Sequence, residues 1–174
     1  MQFETAIQTY FTGMRNEGLY GTLPIGLVLL GFASLLLLRG PSDTFTLWAG
    51  IGLGVVGLIG IAAGIGFAIH AGNHMQQTLS AFAANPADVL QSEAARIDGI
   101  LRGSYGYYAL YGALMVTAFV LLFAVHRDWS IGLALPLMAF AAMSFCMDIF
   151  IHNRSTAYQE AIALALVEAA HDAG

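Results

Sequence analysis

Four long apolar runs, separated by short polar breaks, dominate the hydropathy pattern of this chain. Residues about 19–38, 45–69, 107–125 and 131–151 carry almost no charge. At about 1.5 Å per residue, each is long enough as a helix to cross a hydrocarbon layer of about 30 Å. A chain in lipid must satisfy its own backbone hydrogen bonds, so runs of this kind predict membrane-spanning helices. Pro24 falls in the first turns of the first run, where a missing N–H does least harm, and Pro136 lies near the start of the fourth, where it is expected to tilt the first turns.

The polar intervals also carry helical periodicity. Phe3, Ile7, Tyr10, Phe11 and Met14 share one face, with Glu4, Gln8, Thr12 and Arg15 off it. That predicts an amphipathic N-terminal helix lying at the membrane surface and ending between Gly13 and Gly18. Residues 75–104 form the longest polar stretch. Asn85 and Pro86 there are a cap followed by a first-turn proline, Leu90, Ala94, Ile97 and Leu101 line one face, and Gly103 is the expected stop. Glu93 with Arg96 and Asp98 with Arg102 are spaced as helical ion pairs on a solvated face. Tyr105, Tyr107, Tyr108 and Tyr111 suit a belt at headgroup level. Residues 155–170 place Tyr158, Ile162, Ala165 and Leu166 on one side, which predicts a helical tail beyond the membrane. Residues 39–43 and 126–129 are tight turns.

The second run is laddered with glycine. Gly50, Gly54, Gly57, Gly60 and Gly64 fall within a stripe about a third of the helix circumference wide. In water, each interior glycine would cost roughly 1 kcal/mol relative to alanine. In lipid, small residues four apart let a second helix approach closely. The stripe therefore predicts a packing seam, either within the chain or between chains.

Composition agrees with this reading. Of 174 residues, 58% are hydrophobic and 10% charged, with mean hydropathy +0.72, against about a quarter charged in soluble domains. The net charge of −5 and the absence of lysine offer no basic surface for nucleic acid. The first twenty residues carry acids and lack a positively charged start with an apolar core, so no cleavable signal peptide is expected. Cys146, the single cysteine, lies in an apolar run and reads as a small lipid- or helix-facing residue.

The expected fold is an all-α integral membrane protein, residues 1–174 forming one four-helix domain of two hairpins with helical cytoplasmic extensions. Arg15, Arg96, Arg102 and Arg154 lie on one side and Arg39 and Arg127 on the other. The rule that positive charge stays inside then puts both termini and the connector in the cytoplasm of a bacterial-type inner membrane. The two halves also resemble each other. Gly13-Met14-Arg15 with Tyr20-Gly21 matches Leu101-Arg102 with Tyr105-Gly106, and Ile69-His70 matches Ile151-His152, which suggests a parallel repeat.

Candidate chemistry gathers at the cytoplasmic helix ends. His70 and His74 are one turn apart, as are Asp148 and His152. Three imidazoles and a carboxylate at one depth would suit a divalent transition metal (zinc, copper or iron). A plain Asp148–His152 interaction is the simpler alternative. His70 and His152 would also permit one haem. His126 lies at the opposite face and His171 in the tail, so neither joins the group. No Ser–His–Asp, Cys–His or phosphate-loop arrangement is present, which argues against an enzyme.

Three functions fit. The leading one is a non-enzymatic, oligomeric membrane subunit, of assembly or channel type, packed through the glycine stripe as a homo-oligomer or within a larger complex. The second is a metal- or proton-handling protein using His70, His74, Asp148 and His152. The third is a single-haem redox protein.

Overall fold

The computed structural model describes residues 2–40 and 43–172, so Pro41 and Ser42 of the first predicted turn lie outside the described residues. Its elements are α1 (Gln2–Asn16), a π-wound turn (Glu17–Thr22), α2 (Leu23–Leu38), α3 (Thr44–Ala84), α4 (Pro86–Phe119) with a second π-wound turn (Val120–Val125), and α5 (Asp128–Asp172). Four of the resulting columns are long and apolar enough to cross a membrane: Phe3–Leu38, Thr44–Ala84, Pro86–Val125 and Asp128–His171. Each predicted apolar run lies inside one of them. Each column also extends past its apolar run without a break, and the polar ends gather into a second bundle.

Local chemistry explains the starts and joints. The Asp43 side chain accepts from the Thr46 N–H at 2.7 Å and caps α3. Asn85 closes α3 and accepts from Asp88 N–H at 3.4 Å, with Pro86 opening α4 as its spacing predicts. His126 adopts the left-handed conformation (φ 47, ψ 44) that ends the second π-wound turn and opens the predicted turn at 126–129. The first π-wound turn comes just before Pro24, whose ring would otherwise crowd the Tyr20 carbonyl in a regular helix.

The predicted helix stop at Gly103 does not occur, and the α-winding that ends at Asn16, between Gly13 and Gly18 as expected, runs on without a break into the π-wound turn. Gly13 and Gly18 sit inside the first column because other helices press on them. A Cβ at Gly13 would lie 2.6 Å from Arg154 Nε, and one at Gly18 would lie 2.6 Å from the Gly64 carbonyl oxygen. Gly103 likewise sits within α4, where a single glycine costs less than breaking a helix about to enter an apolar phase.

The apolar segments are packed through backbone. Cβ atoms at Gly57 and Gly26 would lie 2.8 Å from Leu30 N and 2.7 Å from Ile61 N, and one at Gly64 would lie 2.8 Å from Leu23 N. The glycine stripe of α3 thus faces α2 of the same chain. Gly132 of α5 approaches Phe45 as closely, and Gly52 accepts the buried ring of Pro136. The helices adjoin in the order α2, α3, α5, α4, and no contact joins α2 to α4 or α5 among the described residues.

The polar bundle is packed through side chains. Phe3, Ile7, Tyr10 and Phe11 of α1 form its centre with Ala71, Leu90, Ile97, Tyr158 and Ile162. This corrects the expected helix at the membrane surface. Because α1 is continuous with α2, its axis follows the span, and its apolar face finds protein in place of lipid.

Candidate functional site: the Asp148 chamber

The four histidine and carboxylate residues do not form one group. His70 and His74 lie together with ring centroids 4.4 Å apart, and His74 stacks on Phe11 at 6.1 Å, within the polar bundle. Asp148 faces α4, where it interacts with Tyr111. Asp148 Oδ2 and His152 Nδ1 are both shielded without a hydrogen-bond partner, so the simple Asp148–His152 pair is not made through these atoms. Among the described residues, no set of three or more His, Cys, Asp or Glu side chains is placed to hold a metal ion. The i, i+4 spacings put each pair on one face of its own helix, but packing turns those faces towards different neighbours.

What the structure assembles is a chamber of about 580 Å³ between α3, α4 and α5. Arg96, Gly99, Gly103, Tyr107 and Tyr111 recur every three or four residues, so they form one face of α4. At about 1.5 Å per residue that face is about 22 Å long. Phe67 and Asp148 contribute the opposite side. Gly99 and Gly103 set the width, because a Cβ at either would meet open space. A smaller chamber of about 170 Å³ continues towards Thr22, Phe140 and Met143 and shares Phe67, Tyr111 and Asp148 with the first. Asp148 thus stands where the two meet, with apolar walls on one side and a polar route on the other.

The polar route ends in the bundle core. Arg96 donates through Nε and Nη2 to the two oxygens of Glu93, at 2.9 and 2.7 Å. Its guanidinium lies over the rings of Tyr10 and Phe11, at 5.5 and 5.4 Å. Tyr158 donates its hydroxyl proton to Glu93 Oε2 at 3.1 Å. Burial, and then the Glu93 charge, push the Tyr158 pKa up and keep it a donor. Glu93 is only 6% exposed, which overturns its assignment to a solvated face. Asp98 and Arg102, by contrast, pair at 2.9 Å on the outside as predicted. Burial first, then the neighbouring charges of His70 and Arg96, hold the His74 pKa below the ordinary imidazole value. Arg154 pairs with Glu17 at the side of the bundle.

Phe67 and the glycine floor were not among the candidates the pattern offered, and Tyr111 stood there in the tyrosine belt, with a ligand-stacking platform as the lesser alternative. Tyr111 carried a usable signal, since it continues the stripe of Arg96, Ile100, Gly103 and Tyr107 at helical spacing. Comparison of the chain with family models, curated proteins and solved structures finds no match. The geometry of the chamber therefore carries the functional argument.

Proposed function

We propose that the chain is a non-enzymatic inner-membrane protein, two helical hairpins with both termini in the cytoplasm, that takes up a proton or a cation at Asp148. One observation carries this reading: a carboxylate in an apolar span has an oxygen without a partner and stands between two chambers. Charge in that position is costly unless neutralised, and ionisable groups inside spans mark ion or proton pathways by default. Among the described residues Asp148 has no ion pair, and Arg96, at the far end of the chamber, is committed to Glu93. The orientation rests on the four arginines at the polar bundle against two at the far turns.

The test is proton flux into liposomes loaded with a pH-sensitive dye. Wild-type protein should acidify the lumen under an imposed gradient, and Asp148→Asn should match protein-free liposomes. Equal rates for wild type and variant would sink the proposal.

A second reading, membership of an oligomer or larger membrane complex, draws on the open order of the helices. The outer faces of α2 and α4, with Leu27, Phe32, Val116 and Phe123, are exposed at opposite ends of the row. The glycine stripe no longer supports that reading, since it is occupied by α2. Native mass spectrometry in mild detergent, showing a single stoichiometry above one chain, would support assembly, whereas a lone monomer would oppose it.

A further inference from the structure

Resting on the Asp148 reading, we infer that the chamber is a binding site for a lipophilic organic cation, a molecule with one positive centre on an aromatic or alkyl body. Three features select that chemistry over a bare metal ion. A transition-metal ion needs several His, Cys or carboxylate ligands, and among the described residues no set of three such side chains is placed to hold one. The space of about 580 Å³ is in the range that holds a ligand of drug-like size, far more than one dehydrated ion needs. The walls are aromatic where the charge is: Phe67, Tyr107 and Tyr111 line the chamber with Asp148. Aromatic faces attract a desolvated cation, and the carboxylate supplies the opposite charge.

The layout also sets the direction of entry. Phe67 and Tyr107 lie partly exposed at the outer wall, with Tyr107 57% exposed, so the chamber opens sideways. An amphipathic cation gathered at the headgroup layer reaches Asp148 by that side without crossing the polar bundle. Its apolar body continues into the smaller chamber between Phe140 and Met143. At the far end Arg96, held by Glu93, keeps the positive centre near Asp148.

The experiment is a calorimetric titration of the full-length protein in mild detergent with tetraphenylphosphonium. Wild type should bind it. Asp148→Asn should weaken binding by roughly thirtyfold or more, as expected for loss of a charge partner whose oxygen is shielded from water. Gly103→Leu should weaken it by filling the chamber, since its side chain enters open space and disturbs no packing. Helical circular dichroism and elution volume check both variants. If Asp148→Asn does not fold, Gly103→Leu decides. Binding unchanged by Gly103→Leu would overturn the inference, because the cation would then sit elsewhere. No binding to wild type, with Asp148-dependent proton flux retained, would overturn the organic-cation inference and leave the proton reading standing. No binding and no such flux would remove both.

Discussion

The same four helical columns are held together in two different ways along their length. In the apolar half, close approach is backbone to backbone, at Gly26 with Gly57 and Ile61, Gly18 with Gly64, and Gly132 with Phe45. In the polar half, helices are held apart by a core of Phe3, Phe11, Tyr10 and Tyr158 around a buried ion pair. Tyr10 and Tyr158 stack at 4.5 Å between centroids, and Phe3 and Phe82 lie 5.0 Å apart. The difference follows from the solvent. Lipid removes the gain from burying apolar side chains, so contact depends on short-range packing, which glycine maximises. Water restores that gain, and large aromatic side chains then contribute most.

The sharpest way to break this comparison is to give the glycine seam side chains. Gly57→Leu should be the most damaging substitution, costing about 3 kcal/mol or more, because the clash is with helix backbone that has no room to yield. Thermal unfolding in detergent should show it as loss of the folded chain itself. Gly66→Leu, on the open side of the same helix, should stay within about 0.5 kcal/mol of wild type. Equal effects at the two positions would refute the intrachain seam.

The polar half should fail by a different route. Glu93→Ala leaves Arg96 largely buried without its partner and should cost about 3 kcal/mol in denaturant titrations. Replacing both members by methionine should recover much of that loss, since an apolar pair suits this core. A double variant no better than Glu93→Ala would show that the ion pair has a further role.

Tyr158→Phe should come next, at about 1–2 kcal/mol, by removing the hydrogen bond to the Glu93 carboxylate. The exposed Asp98–Arg102 pair supplies the contrast: Arg102→Ala should change stability by less than about 0.5 kcal/mol. If Arg102→Ala were the more harmful of the two, burial would not be what separates these pairs.

The smallest expected effect is on pH. Folding holds the His74 pKa below its ordinary value of 6.5, so the unfolded chain binds the proton more readily. Stability should therefore be undiminished above that value and fall as pH drops through 6.5 towards the folded-state value, levelling below it. His74→Gln should flatten the decline in a melting series from neutral to mildly acidic pH. An unchanged slope would place the sensitivity on other groups.

Much of this architecture was legible in local pattern. The apolar runs named the spans, Asn85 and Pro86 named a helix start, and the stripe of Tyr158 and Ile162 named a buried face. The errors share one cause. Gly103 read as a helix end because isolated glycines often are, yet α4 continues through it, and the α-winding that does end between Gly13 and Gly18 passes into a π-wound turn without a break. Glu93 read as solvated because ion pairs at helical spacing usually are. His70, His74, Asp148 and His152 read as one group because they share a depth, yet packing sets His74 on Phe11 of α1 and turns Asp148 to α4.

What the sequence alone determined is therefore each helix taken singly: its length, its cap and which of its faces is apolar, small or charged. Those properties are set within a turn or two, by hydropathy, periodicity and backbone chemistry. The partner of each face was decided only by the tertiary structure. The stripe at Gly57 meets Gly26 of α2, Tyr158 reaches across 65 positions to Glu93, and Tyr111 is brought to Asp148. A helix face records that it must be covered, but the covering surface comes from distant chain, and only packing all the columns together selects it.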